Sequence, residues 1–252
     1  MDALLNAYLL RLGFESRPEP TRASLEQLVT AHLFAVPFEN LDVVEQRPIV
    51  LATPALVEKV ARRRRGGFCF EVNEAFRALL ESLGFAVQRI EGQVWLETEQ
   101  RFGPAFDHLA LQVALEGEAW LVDVAFGDNN RRPLRLPADT ASDVSGAYRL
   151  SRQLDGSGLL ERRRRGVVTP LYRFTPEPRT LADFAEMCAF HQTSPDSVFT
   201  RGLICTLPTT SGRVTLTETR LIEQTDGRRT ETPVNDPAQR RAILRDRFGI
   251  DS

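Results

Sequence analysis

The sequence predicts an α+β fold, helical first and strand-rich later. Three observations carry that expectation. Over the first eighty-odd residues, apolar side chains recur with the 3.6-residue period of a helix. From residue 85 the period falls to 2, as in strands with alternating faces. Near the end the helical period returns, between a start signal and a glycine stop. Helices and strands do not alternate one for one, which argues against a chain of βαβ units.

At the N-terminus, Asp2 is placed to cap a helix whose Leu5, Tyr8, Leu9 and Leu12 share one face, and Gly13 stops it. Ser24 and Gln27 have capping-box spacing ahead of Leu25, Leu28, Val29 and Leu33. Pro37 ends that helix, because proline cannot continue the hydrogen-bond ladder. Thr53-Pro54 reads as a cap followed by proline at the first helical position. A fourth helix covers Cys69 to Leu83, with Val72, Phe76, Leu79 and Leu80 on its apolar stripe and Gly84 as its stop. Strands are expected at 85–96, 108–115, 119–126, 147–154 and 167–174. Thr180 caps a short helix, strands resume at 201–207 and 213–223, and a last helix runs from Asp236-Pro237 to Phe248-Gly249.

Composition narrows the function classes without naming one. The chain has 252 residues and a formal charge of −2, so no global basic field draws it to nucleic acid. No apolar run reaches the ~20 residues of a membrane span. Asp2 stands where a signal peptide wants positive charge, and three scattered cysteines suit a reducing setting, so a cytoplasmic location is expected. No Cys-x-x-Cys or His-x-x-x-His spacing points to a metal. Lys59 is the only lysine, which disfavours Schiff-base chemistry.

Chemistry concentrates at Arg65-Gly66-Gly67-Phe68-Cys69-Phe70-Glu71-Val72-Asn73. Two glycines let the chain turn sharply and let a substrate approach the backbone. Cys69 follows at a helix start, where unpaired N–H groups and the helix dipole favour a thiolate. The alternative for any cysteine is a small buried hydrophobe. Cys188, on a helix stripe, and Cys205, in an apolar strand, fit that alternative better.

A nucleophilic thiol needs a base, and the base needs an orienting group. His32 sits near the apolar face of the second helix, and His191 follows a helix end. His108 leads a run that faces a second run across Glu116-Gly117. A two-residue turn there pairs Leu115 with Glu118, Val113 with Trp120 and Leu111 with Val122. One face of this hairpin is continuously apolar, which fixes the register. On the other face His108 and Asp123 become diagonal neighbours, their Cβ atoms about 7 Å apart or less. The rival is a surface ion pair, but Ala110, Leu121 and Ala125 beside it suggest a covered face. Asp107 has the wrong parity, and Asp128 lies in a loop after Gly127.

With Cys69, His108 and Asp123 in place, the chain resembles the arylamine N-acetyltransferase family. The likeness rests on Val36-Pro37-Phe38-Glu39-Asn40-Leu41, on Arg64 through Asn73, on the strand led by His108 and on Val122-Asp123-Val124-Ala125-Phe126-Gly127. It continues more weakly through Leu171-Tyr172-Arg173-Phe174 and Ser194 to Phe199. The resemblance implies an N-terminal helical bundle (1–84), a central β-barrel (85–179), a C-terminal α/β lid (180–252) and a cysteine-protease-like Cys-His-Asp core. It implies a ping-pong reaction in which Cys69 takes acetyl from acetyl-CoA and passes it to an arylamine, arylhydrazine or N-hydroxyarylamine. Phe38, Phe126 and Phe199 would line the acceptor pocket, and Gly127 would leave room for substrate. No metal is implied. Ala125 stands where the family usually has glycine, Asp107 where threonine or serine is common, and Cys188 to His191 where asparagine often occurs. The arginine clusters 62–65 and 162–165 read as solvated charge or as partners for CoA phosphates. Two other functions stay open. One is an amide synthase of the same family that closes a macrolactam from a carrier-bound acyl chain, and the other is a non-catalytic binding protein on this fold.

Overall fold

The computed structural model describes residues 1–128 and 130–251. The seven α-helices among them are α1 (Asp2–Arg11), α2 (Arg22–Ala35), α3 (Leu41–Val44), α4 (Thr53–Ala61), α5 (Cys69–Ser82), α6 (Ala185–Thr193) and α7 (Pro237–Phe248). A 3₁₀ turn at Leu181–Phe184 leads into α6. The first strands are β1 (Phe38–Glu39), β2 (Ala86–Leu96), β3 (Arg101–Phe102), β4 (His108–Leu115) and β5 (Glu118–Val122). Then come β6 (Leu134–Arg135), β7 (Asp139–Asp143), β8 (Gly146–Arg152), β9 (Gly158–Arg164) and β10 (Val167–Phe174). The last four are β11 (Ile204–Thr209), β12 (Gly212–Thr217), β13 (Arg220–Thr225) and β14 (Arg228–Pro233).

The strands form two sheets. The larger runs β6-β5-β4-β2-β10-β9-β8-β7, with β3 attached to β2. A short turn joins its edge strands β6 and β7, so the sheet curls into a barrel. The smaller runs β1-β11-β12-β13-β14, which carries β1 from the helical region into the C-terminal sheet.

The β4–β5 hairpin has the expected register, with Leu111 opposite Val122, Val113 opposite Trp120 and Leu115 opposite Glu118. Its turn residues Glu116 and Gly117 have φ of 54° and 78°, the left-handed pair a two-residue hairpin needs. Both faces are covered. Leu109, Leu111, Val113, Trp120 and Val122 pack on the helical core with Val72, Phe76 and Leu80. Ala110 and Leu121 point into the barrel with Ile90, Tyr148 and Tyr172. The ladder ends at Val122, so 123–126 leave the strand and become the site loop.

Several caps differ from the sequence reading. Met1, not Asp2, is the N-cap of α1. Thr21 caps α2 by accepting from Ser24 N, so the capping box sits three residues earlier than expected. Ala52 occupies the cap of α4, because the Thr53 hydroxyl is committed to Glu74 at 2.6 Å. The run at 213–223 is two strands, β12 and β13, separated by a turn.

Candidate active site

Cys69 is the first residue of α5, after Phe68 at the N-cap. Phe68 has no side-chain oxygen, so the helix start is held from the other direction. The Glu71 carboxylate accepts from Phe68 N at 3.2 Å. Glu71 also accepts from Lys59, whose ammonium lies 2.7 Å from Asp42. Asp42 and Glu39 in turn bind Arg65, each at about 3.0 Å. Five charged side chains thus brace the segment before the cysteine, although they lie far apart in sequence. Arg65 is therefore a buried partner and not solvated charge.

The two glycines serve close packing and not a sharp turn. A Cβ at Gly66 would fall 1.8 Å from Pro37 O, and one at Gly67 would fall 2.5 Å from Glu71 Oε2. Neither has positive φ. Their backbone runs beside β1, with Glu39 N donating to Gly67 O at 3.1 Å.

His108 Nε2 meets Asp123 Oδ2 at 2.9 Å. Cys69 is a hydrogen-bonding and charge partner of the same ring. Because Nε2 is engaged by Asp123, Nδ1 is the nitrogen left for the thiol. Cys69, His108 and Asp123 are only 3%, 2% and 7% exposed, which excludes a surface ion pair. Burial works against an imidazolium, but Asp123 and then Cys69 outweigh it and raise His108 to about 10. Burial likewise works against the Asp123 carboxylate. The charge of His108 and hydrogen bonds from His108, Asn73 and Ala125 hold that carboxyl below its usual range.

Asn73 is not among the residues that the sequence singles out, yet it locks the acid in place. Its Nδ2 donates to Leu109 O at 2.7 Å and to Asp123 Oδ1 at 3.0 Å. Its Oδ1 accepts from Val124 N at 3.0 Å. Its spacing is the available signal: four residues after Cys69, it lies on the same helix face one turn along.

The other cysteines lack such a setting. Burial and repulsion from Glu71 and Cys69 push the Cys188 thiol up to about 12. Burial pushes Cys205 well above its usual range. His32 is a core histidine, bonded to the Tyr8 hydroxyl at 2.7 Å. Asp107 accepts from His191 at 2.9 Å, and His191 also meets Ser197 Oγ at 3.0 Å. Two residues that depart from the family pattern are therefore partners.

The expected pocket residues gather around this centre. Phe126 lies edge-on to His108 with centroids 5.3 Å apart, and 5.1 Å from Tyr172. Phe38 and Phe199 pack together at 5.9 Å, and Phe199 also meets Phe68 at 5.5 Å. Gly127 has φ of 83°, and its would-be Cβ comes within 4.0 Å of Phe38, so the loop after Asp123 faces that ring.

This arrangement can hold a thiolate beside an imidazolium. It can also pass one proton between sulfur and an incoming or leaving group. Among the described residues no cluster of His, Cys, Asp and Glu could hold a metal. No described helix is long and apolar enough to cross a membrane.

A family described as N-acetyltransferase matches residues 21–252. The arylamine N-acetyltransferase of Mycolicibacterium smegmatis is 37% identical, over 98% of this chain and 92% of its own. The Salmonella typhimurium arylamine N-acetyltransferase / N-hydroxyarylamine O-acetyltransferase is 34% identical, over 99% of this chain and 90% of its own. A solved structure of arylamine N-acetyltransferase from Salmonella typhimurium superposes with a TM-score of 0.92 at 32% identity, covering 100% of this chain and 92% of that one.

Proposed function

The chain belongs to the arylamine N-acetyltransferase family, and from that premise we propose that Cys69 carries the acetyl group between acetyl-CoA and an aromatic amine. The observation that supports this most is the buried alignment of the Cys69 thiol, the His108 ring and the Asp123 carboxylate.

In the first half-reaction the Cys69 sulfur attacks the acetyl carbonyl of acetyl-CoA. A carbon–sulfur bond forms to Cys69, and the bond to the CoA sulfur breaks. The imidazolium of His108 gives its proton to the departing CoA thiolate. The N–H groups of Cys69 and Phe70, at the start of α5, suit the oxyanion that forms on the way. In the second half-reaction a neutral aromatic amine attacks the thioester. Neutral His108 takes the proton from nitrogen, and Cys69 leaves as thiolate. Asp123 keeps the ring oriented and stabilises its charged form throughout. The same second step at the oxygen of an N-hydroxyarylamine gives O-acetylation.

Phe38, Phe126 and Phe199 are half-buried, and their rings offer a flat acceptor apolar area and offset stacking. Weak basicity suits the reaction, because the nitrogen must be unprotonated near neutral pH. The test is steady-state kinetics with acetyl-CoA and a substituted aniline. Parallel double-reciprocal lines are expected. Turnover with a carrier-bound long acyl chain, and none with acetyl-CoA, would favour the amide synthase instead.

A further inference from the structure

Two buried side chains near the reacting centre, His191 and Ser197, have no part in the transfer described above. His191 Nε2 lies 2.9 Å from Asp107 Oδ1, across 84 residues of chain. A carboxylate can only accept, so Nε2 carries a proton. In the neutral ring Nδ1 is then the acceptor for the Ser197 hydroxyl, 3.0 Å away. Ser197 Oγ in turn accepts from Phe199 N at 3.2 Å. One line of hydrogen bonds therefore runs from Phe199 N–H through Ser197 and His191 to Asp107. Every link points the same way, an order in which neighbouring bonds polarise and strengthen one another. Asp, His and Ser in line look like a hydrolase triad, but Ser197 is fully buried and its oxygen is committed to Phe199, so it is no nucleophile.

Asp107 anchors one end. It is seated against Gly103, where a Cβ would fall 2.7 Å from its Oδ2, and it directly precedes His108 at the start of β4. Phe199 is the other end. It lies between α6 and β11, where no helix or strand ladder supplies its backbone bonds. Ser197 takes its N–H instead, and Asn40 Nδ2 donates to its carbonyl at 2.8 Å. The His191 ring also packs edge-on to Phe199 with centroids 5.1 Å apart, and to Phe68, the N-cap residue before Cys69, at 6.5 Å. His191 thus ties the Phe199 wall to the strand that carries the base and to the segment that carries the thiol. A flat aromatic amine stacks on such a wall only while the ring keeps its place. A nucleophile without a ring makes no such contact.

We propose that His191 is a positioning residue which, with Asp107 and Ser197, fixes Phe199 and so sets the preference for acceptors that carry an aromatic ring. The proposal rests on the acceptor reading above and names the side chains that hold one wall of that pocket.

The test compares discharge of acetyl-Cys69 by aniline and by hydrazine, which has no ring. His191→Leu keeps apolar bulk and removes both hydrogen bonds. The ratio of kcat/KM for aniline to that for hydrazine should fall about three- to tenfold, the loss expected of one hydrogen bond. His191→Gln, whose amide can donate to Asp107 and accept from Ser197, should restore the ratio. Ser197→Ala breaks the link to Phe199 alone and should lower the ratio as His191→Leu does, which keeps the test decisive if His191→Leu fails to fold. In a Phe199→Ala background His191→Leu should change the ratio no further, because it acts through that ring. Hydrogen exchange at the Phe199 amide should quicken by a similar factor in His191→Leu and Ser197→Ala, and return to the native rate in His191→Gln. An unaltered ratio in either weakened variant, an equal loss with aniline and hydrazine, a ratio as low in His191→Gln as in His191→Leu, or an additive loss in the Phe199→Ala background would each overturn the proposal. Wild-type acetyl-Cys69 that aniline cannot discharge would contradict the acceptor reading itself. Exchange at the Phe199 amide would then still decide whether His191 holds that wall.

Discussion

Asp123→Asn keeps the shape of the acid and removes its charge, and the hydrogen bonds around it decide which tautomer His108 adopts. Asp123 Oδ1 accepts from Asn73 Nδ2 and from Ala125 N, both at 3.0 Å. In the variant those two donors hold the amide oxygen on their side. The amide NH₂ must then face His108 Nε2, which Asp123 Oδ2 meets at 2.9 Å in the native protein. An NH₂ group can only donate, so Nε2 becomes the acceptor and the ring proton moves to Nδ1, toward the thiol. That tautomer cannot take a proton from Cys69. The charge effect points the same way. The rise of His108 from 6.5 to about 10 corresponds to on the order of 5 kcal/mol, with Asp123 as the largest favourable contributor. The same substitution in a serine protease triad costs roughly 10⁴ in kcat. Loss of two to four orders of magnitude in Cys69 alkylation by iodoacetamide at pH 7 is expected, with near-UV circular dichroism unchanged. A variant with native dichroism and a near wild-type alkylation rate would refute the tautomer argument. Asp128→Asn, whose carboxylate faces Arg162 and Arg213, is the control and should alkylate normally.

The pH profile has a direction at each end. Asp123 is depressed in the folded state, so its contribution to stability is present above about pH 3.9 and is lost as pH falls through the lower folded value. His108 is raised to about 10, so its contribution is complete below pH 6.5 and is lost as pH rises toward 10. Urea denaturation across pH should show both flanks, and a His108→Gln variant that keeps the alkaline flank would contradict the assignment. Lys59→Met leaves Glu39, Asp42 and Glu71 with Arg65 as their buried cation and with Arg47 3.9 Å from Asp42. A loss of about 3–5 kcal/mol in chemical denaturation is expected, and a loss below about 1 kcal/mol would show that the network contributes little. Phe38→Ala removes a half-buried ring beside Phe199 and the site loop. Aniline kcat/KM should fall about tenfold in steady-state assays, while stopped-flow acetylation of Cys69 holds, and equal losses in both would remove Phe38 from the acceptor pocket.

The parts legible in the sequence are those set by periodicity and turn geometry. The α5 stripe and the Glu116-Gly117 turn are enough to place Cys69 at a helix start and His108 beside Asp123. Alternation also implies that both hairpin faces are covered. What escapes depends on long-range partners. Nothing local shows that Glu39, Asp42, Lys59, Arg65 and Glu71 converge, because charged residues are solvated by default and burial requires the fold. Asn73 escapes because an asparagine inside a helix has several ordinary explanations. Thr53 reads as a cap, but its hydroxyl serves Glu74 instead. Strand β14 is exposed along its whole length, so no apolar alternation marks it.

The central claim is that Cys69 alone carries the acetyl group between donor and acceptor. Intact-protein mass spectrometry after acetyl-CoA addition, followed by peptide mapping and a chase with an arylamine, tests it most directly. A gain of one acetyl group is expected, confined to the peptide that contains Cys69. That gain should disappear on adding the amine, as acetylated amine appears. Acetyl found on Cys188 or Cys205, or an acetyl-Cys69 that the amine cannot discharge, would contradict it.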